Sequence, residues 1–514
     1  MLAHLRLGLY LANRMEILET HASLFDPEPD NHTVVDVPRA PKKPATRQAM
    51  LGQFLTPPSI AKFMAEQFTP AYPAQTKLLD AGAGRGALSA AFIQRWRATS
   101  SDGQLEATAY ETDHLILPEL KAEIFQFEQH DVAAHVVDGD FIEQASAMVA
   151  LNRGPRFTHA ILNPPYKKIS SASLHRAQLR TAGLETVNLY SGFVALALAL
   201  LEAGGELVAI IPRSFCNGPY YQPFRRFMLR YASIERIHLF ESRKKAFKDD
   251  GVLQENVIIK LIKGKAQGGV CISTSTDDSF SDLNETLYAF ERIVLPDDDN
   301  QFIHIPTGED DDDLLQNAAF GFTIADLGLK VSTGPVVDFR MREHLVDQPE
   351  AGAVPLLYPG HFVDHNVEWP REAFKKPNCI RDDPSTRKWL YPNGFYTVVR
   401  RFSSKEEKRR LVASIIDPTR LPADWIGIEN HLNVIHEGRK PLSEDIARGL
   451  SVYLNSSVIE QYFRRFNGHT QVNATDLKNL PYPNRKALIE LGRWAKTHTL
   501  LDQTTIDQKV NALA

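Results

Sequence analysis

Thr158-His159-Ala160-Ile161-Leu162-Asn163-Pro164-Pro165-Tyr166 is the stretch that decides how this chain folds. Its first five residues have the length and apolar content of a buried strand. Two prolines then forbid helix and sheet ladder alike, so the strand ends at Asn163. In an open α/β sheet that edge is where ligands bind. There the Asn163 side-chain oxygen and the Pro164 carbonyl can accept two hydrogen bonds from one exocyclic amine, and Tyr166 can stack on the ring bearing it. A structural turn explains Asn-Pro equally well on its own. The neighbouring motifs carry the distinction.

Upstream, Lys77 to Leu88 reads as a strand ending at Asp80, a glycine-rich turn and the start of a helix. Gly82, Gly84 and Gly86 allow close backbone approach to a ligand and positive φ. Their spacing is neither the dinucleotide fingerprint nor a Walker A loop. Asp80 ends the strand within reach of an ammonium or a hydroxyl. The next strand, Leu105 to Tyr110, ends in Glu111, near the ~20-residue spacing at which an acid meets ribose hydroxyls. A third strand, His135 to Val137, leads into Asp140 and Phe141, an acid beside an aromatic that suits the amine and ring of an adenine. Surface placement explains any one of these residues. Four successive strand ends presenting Asp80, Glu111, Asp140 and Asn163 are harder to assign to chance. Ahead of them all, Thr56 can cap a helix that Pro57 and Pro58 open.

Downstream come an apolar helix over 186–201, a buried strand over 206–212 and the loop Arg213 to Gly218. A basic helix over 223–231 and strands over 234–240 and 253–262 follow, with Phe247 in the loop between. Alternating strands and helices predict an α/β fold with a doubly wound mixed sheet. The pattern breaks near residue 264, and the acidic run Glu309 to Asp313 marks a boundary. Beyond 321 aromatic and basic residues interleave, notably in Phe395 to Phe402 and in Arg464-Arg465-Phe466-Asn467-Gly468-His469-Thr470-Gln471. Such side chains hold phosphates or read base edges, although amphipathic surface elements account for each singly. Residues 2–24 have helical apolar spacing, and 26–46 reads as a Pro-rich linker.

The chain has 514 residues, 43% hydrophobic and 24% charged, which fits a soluble protein of two or three domains. Its longest apolar stretch, Phe193 to Leu201, is too short to span a bilayer, and no secretory signal is read at the N-terminus. Cys216, Cys271 and Cys379 are far apart, which fits a reduced, cytoplasmic protein with no disulfide framework and no cysteine-based metal site, and no metal is expected. Net charge is −5, against a protein that coats nucleic acid indiscriminately. Residues 321–514 carry 27 Lys and Arg against 23 Asp and Glu, while the first 320 carry 31 against 40. The C-terminal part is therefore the better candidate for facing a phosphate backbone.

In this order, Thr-Pro-Pro, glycine-rich turn, Glu111, Asp140, Asn-Pro-Pro-Tyr, hairpin and a long C-terminal domain, the chain resembles the gamma-class DNA adenine-N6 methyltransferases. The likeness covers roughly residues 50–262 and is closest to the modification enzymes of type II restriction systems. It implies a doubly wound sheet of the S-adenosylmethionine-dependent (Rossmann-like) type, followed by an α+β target-recognition domain. The expected divisions are 1–46 (helix and linker), 47–263 (catalytic), 264–320 (connecting), 321–482 (target recognition) and 483–514 (helical tail).

By the same resemblance, S-adenosylmethionine lies against Thr56, Pro57, Asp80, Gly82, Gly84, Gly86, Glu111, Asp140 and Phe141. Asn163, Pro164, Pro165 and Tyr166 act on the N6 amine of a flipped-out adenine, with Tyr166 and Phe247 stacking on it. Arg464, Arg465, His469 and Gln471 are expected to touch double-stranded DNA. A monomer, with any cognate restriction endonuclease acting separately, is the expected state, and adenine-specific DNA methylation (EC 2.1.1.72 type) the expected activity. A fragment ending near residue 320 is expected to keep the cofactor and lose specific DNA binding. Two other functions fit some motifs: an RNA or protein-glutamine N-methyltransferase, and a DNA-recognition subunit of a defence complex. The long basic, aromatic C-terminal part disfavours the first, and the intact Asn-Pro-Pro-Tyr and glycine-rich turn disfavour the second.

Overall fold

Strand β1 (Gln75–Ala81) pairs in parallel with β2 (Gln104–Glu111) on one side and with β4 (Phe157–Leu162) on the other. The first lobe is built outward from this trio. The computed structural model describes residues 55–100, 103–241, 255–306, 320–372, 374–403, 407–498 and 502–513. The expected N-terminal helix and linker, Phe247 and the acidic run at 309–313 lie outside the described residues.

The sheet has nine strands in the order β3-β2-β1-β4-β5-β7-β6-β8-β9. The further strands are β3 (Val132–Asp138), β5 (Leu201–Pro212), β6 (Ala232–Phe240), β7 (Asn256–Lys263), β8 (Val270–Ser275) and β9 (Asn284–Tyr288). Because β7 runs antiparallel to both β5 and β6, the sheet is mixed. Central strands read as continuous apolar runs because both faces are covered. Leu79, Ala160, Leu207 and Ala209 point to one core, while Leu78, Ile161, Val208 and Ile210, one residue along, point to the other. Helices α1 (Pro58–Glu66) and α2 (Ala87–Thr99) cover the second face through Phe63 and Trp96. The first face is covered by α4 (Phe141–Ala150), α6 (Leu189–Leu200) and α7 (Gln222–Tyr231). Two short helices, α3 (Leu117–Phe125) and α5 (Leu174–Thr181), complete the lobe. Strand order reverses between β1 and β4, the switch point where such sheets open a crevice.

The boundary expected at residue 263 falls inside this sheet. Strand β8 pairs in parallel with β6 and β9 pairs with β8, so the sheet runs on to Tyr288. The segment expected to be a connector also contributes Ile303 and Ile305 to the first core and Phe302 to the second.

The second lobe is α+β. A six-stranded sheet is centred on Leu432–His436, Tyr396–Arg400 and Ala413–Ile416, and a five-stranded sheet on Ala353–Leu357 and Trp425–Ile428. Helices α8 (Glu444–Leu454), α9 (Ser457–Phe466), α10 (Ala474–Lys478), α11 (Arg485–Lys496) and α12 (Gln503–Asn511) pack with them. The residues expected to form a C-terminal tail belong to this core, where Leu488 and Leu491 of α11 are fully buried.

The lobes meet through buried polar groups, and Leu51–Ala514 form one compact unit. Arg213 donates from Nη1 to Glu255 Oε1 (3.0 Å) and from Nη2 to the carbonyls of Arg464 (2.8 Å) and Arg465 (2.6 Å), which end α9. Its cation thus sits where a helix C-terminus carries partial negative charge. Asn217 Nδ2 donates to Asp476 Oδ1 at 3.0 Å. Cutting near residue 320 would strip these partners from buried groups, which costs far more than the bonds contribute. An independently folding catalytic fragment is not what this junction supports.

Helices α8 and α11 cross with backbones in contact. A Cβ on Gly449 would lie 1.9 Å from the Leu488 carbonyl oxygen, and one on Gly492 1.8 Å from that of Asp445. Alanine gains ~1 kcal/mol of helix propensity, but here it meets backbone that cannot rotate away. Overpacking should win, so Gly449→Ala is expected to lower unfolding free energy in urea by about 1–3 kcal/mol. An unchanged or raised midpoint would contradict this crossing.

Candidate active site

The register of the parallel strands sets the candidate side chains along one edge. Asp80 on β1 lies opposite Ile161 on β4, two residues before Asn163, and Glu111 on β2 lies opposite Asp138 on β3. Gly82, Gly84 and Gly86 all have positive φ (+76°, +57° and +88°), which only glycine adopts freely. A Cβ on Gly82 would lie 3.5 Å from Phe193 and 3.8 Å from Pro165. The glycine turn and the Asn-Pro-Pro-Tyr motif are therefore neighbours.

Glu111 ties the turn to its own loop. Gly84 N–H donates to Oε2 at 2.9 Å, and the N–H groups of Thr112 and Asp113 both donate to Oε1 at 2.8 Å. An ionised carboxylate is acceptor-only and suits such a set of donors.

Asp80 is fully buried. Ser89 Oγ donates to Oδ2 at 2.7 Å, but buried Oδ1 has no hydrogen-bond partner among the described residues. Burial pushes its carboxyl up to about 7, opposed by the Ser89 bonds and aided by the nearby Glu111 charge. A buried carboxylate oxygen beside a glycine cradle fits a ligand that brings a cation or strong donor.

Asn163 is held on both sides. Its Nδ2 donates to Thr56 Oγ1 at 3.0 Å, and the Tyr166 hydroxyl lies 3.0 Å from its Oδ1 and 3.1 Å from the Ile210 carbonyl. Thr56 was expected to cap α1. No side chain caps that helix, whose N-cap is Pro57, and the Thr56 oxygen instead orients the Asn163 amide.

Asp140 and Phe141 both have partners within the first lobe. Asp140 Oδ1 accepts from Glu143 N–H at 3.0 Å, capping α4, and Oδ2 sits 2.7 Å from His175 Nε2 on α5. Burial opposes ionisation of Asp140, but the His175 bond and the cap amides outweigh it and hold its pKa below the usual range. The same bond raises His175. The Phe141 ring is 2% exposed and packs into the core against Tyr110 and Phe193, each 5.2 Å between centroids. Its face is not offered to a ligand. His175 is 35 residues from its partner, and no local pattern announces the pair.

The run 464–471, expected to face DNA, lies largely at the lobe junction. Arg464 bonds Glu460 and the Glu407 carbonyl, and the Arg465 guanidinium lies over the Tyr462 ring at 5.9 Å. The His469 carbonyl accepts from Arg410, and its ring stacks on Tyr221 of the first lobe at 5.9 Å. Gln471 is placed differently, bridging Phe402, whose ring is exposed. Among the described residues no group of His, Cys, Asp and Glu is arranged to hold a metal, and no helix is long and apolar enough to cross a membrane.

Residues 85–247 match the model of the Eco57I restriction-modification methylase family. The type II methyltransferase M.BsuBI of Bacillus subtilis is 49% identical over 472 residues, 90% of this chain and 94% of that one. The type II methyltransferase M.PstI of Providencia stuartii is 41% identical over 477 residues, covering 91% and 93% respectively. The fold is shared with the solved DrdV-DNA complex at a TM-score of 0.50, with 13% identity over 87% of this chain and 57% of that one.

Asp80 makes ligand-free stability depend on pH. Its folded pKa is raised, so its contribution is full below the unfolded value of 3.8 and is lost as pH rises through about 7. Asp80→Asn does not titrate. Between pH 5 and pH 8, unfolding free energy of the variant should gain on the wild type by at least about 1 kcal/mol, the order of one pKa unit. A wild-type-to-variant difference that is the same at both pH values would show that Asp80 is not held in this state.

Proposed function

The chain belongs to the type II restriction-modification methyltransferases, and on that premise we propose that it methylates the N6 amine of an adenine flipped out of double-stranded DNA. The observation that carries this reading is the Asn163 amide, fixed by Thr56 and Tyr166 at the end of β4 beside the glycine turn. A carbonyl oxygen has two lone pairs. Accepting from Tyr166 is therefore compatible with accepting from an adenine amine as well.

The cofactor is S-adenosylmethionine, which when bound supplies a methyl group already activated as a sulfonium. Asp80 would take its ammonium, Glu111 its ribose and Asp140 its adenine amine, with Gly82, Gly84 and Gly86 giving close backbone approach. Thr56 and Pro57 would flank its methionine end. Adenine N6 is a poor nucleophile because its lone pair delocalises into the ring. Hydrogen bonds to Asn163 Oδ1 and the Pro164 carbonyl favour a pyramidal nitrogen and strengthen as positive charge develops there, which stabilises the transition state. Tyr166 and Phe247 would replace stacking lost on flipping, a cost of a few kcal/mol. Arg464, Arg465, His469 and Gln471 would contact the DNA, with Gln471 pairing through its backbone with exposed Phe402. A monomer in the cytoplasm, with any cognate endonuclease separate, belongs to the same proposal.

Asn163→Ala should abolish transfer of labelled methyl to unmethylated plasmid DNA while calorimetry still finds near-wild-type affinity for S-adenosylmethionine. Turnover at the wild-type rate would remove Asn163 from the chemistry.

Glu111→Ala should act on the cofactor. Losing charge-assisted hydrogen bonds at the ribose costs about 1.5–3 kcal/mol, or roughly ten- to hundred-fold in affinity, and the glycine turn loses its anchor as well. Unaltered cofactor affinity would place the ribose contact elsewhere.

A further inference from the structure

A row of four aromatic rings joins the Asn-Pro-Pro-Tyr motif to the second lobe. Tyr166 meets Tyr190 edge-on, with centroids 6.3 Å apart at 86°. Tyr190 stacks on Tyr221 at 5.9 Å and 29°, and Tyr221 stacks on His469 at 5.9 Å and 30°. These separations lie within the 4.5–7 Å range over which ring pairs attract.

The two middle rings are locked. Tyr190 and Tyr221 are buried, and both hydroxyls reach Ser214 Oγ, at 3.0 and 3.3 Å. Asn188 donates to the Tyr221 hydroxyl as well. Neither ring can swing to another side-chain rotamer without breaking these bonds inside the core.

His469 is the member of the row that the second lobe supplies. Its backbone is fixed by Arg410, and the preceding Gly468 lies so close to Arg213 that a Cβ would meet the Arg213 backbone at 2.7 Å. Its Nε2 lies 3.3 Å from where a Cβ on Gly218 would be. Burial, aided by the positive charges of Lys168, Arg410 and Arg225, pushes the ring down to about 4, so it stacks as a neutral imidazole at assay pH.

We propose that His469 is a positioning residue for methyl transfer, holding Tyr166 in place for the acceptor base through Tyr221 and Tyr190. This rests on the proposed role of Tyr166 at the acceptor. On this view the lobe that engages DNA also completes the support of the catalytic motif, and a displaced second lobe withdraws it. What His469 contributes to the row is a flat neutral ring; the hydrogen bond between that ring and the Asn217 backbone holds the ring in place but is not itself part of the row.

The test uses the full chain, unmethylated plasmid DNA and tritiated S-adenosylmethionine, with total methyl incorporation counted whatever base receives it. His469→Ala should lower kcat about ten-fold, within the range of such couplings, with the KM for DNA and calorimetric cofactor affinity little changed. His469→Phe, which keeps the ring, should recover most of kcat. In a double-mutant cycle, His469→Ala added to Tyr221→Leu should cost little further, because the row is already broken. If His469→Ala does not fold, Tyr221→Leu carries the same kcat expectation from the first lobe. Wild-type kcat in His469→Ala, a loss confined to the KM for DNA, or no recovery in His469→Phe would overturn the proposal. Tyr166→Ala separates the two layers. Full turnover there refutes the role of Tyr166 itself, whereas lost turnover with an indifferent His469→Ala refutes the positioning role alone.

Discussion

The parallel pairing of β1 with β4, with Asp80 opposite Ile161, brings two loops together that lie about eighty residues apart in sequence. It places the glycine turn after β1 against the prolines after β4, close enough that a Cβ on Gly82 would be 3.8 Å from Pro165. One-residue slippage would exchange the faces of β4 and turn Ile161 away from the core it fills with Leu78 and Val208. Burial on both faces therefore fixes the register, and the register fixes the distance between the glycine turn and the Asn163 amide. Glu111 in turn ties the glycine turn to the loop after β2 by drawing amide groups of both onto one carboxylate.

What was legible in the sequence is what depends on local pattern. The strand-turn-helix beginning at Lys77 and the strand ending at Asn163 could be read because apolar runs, glycines and prolines constrain backbone within a few residues. Long-range satisfaction of polar groups was not legible. Thr56 has the residue type and position of a cap but bonds Asn163, more than a hundred residues away. Asp140 pairs with His175, and Phe141, suggestive beside an acid, turns into the core. The run 464–471 shows the same difficulty. Basic and aromatic residues suit DNA contact and a charged domain junction alike, and only tertiary placement separates them.

Domain divisions were the least legible. Short strands such as Val270–Ser275 carry little signal, yet they extend the first sheet, and α11, though surface-like in composition, buries Leu488 and Leu491. Both lobes are stitched by Arg213, Asn217 and Asp476, all buried. Such groups are costly to uncover. The molecule is thus organised as two lobes that stand or fall together, with the Asn-Pro-Pro-Tyr motif near their junction.

The central claim is the identity of the acceptor, and it is tested most directly by base-resolution mapping of methylation across the genome of a methylation-free host expressing the chain. N6-methyladenine confined to one recurring DNA sequence is the expected result. Methyl groups on cytosine, on RNA or on protein, with adenine in DNA unmodified, would contradict it.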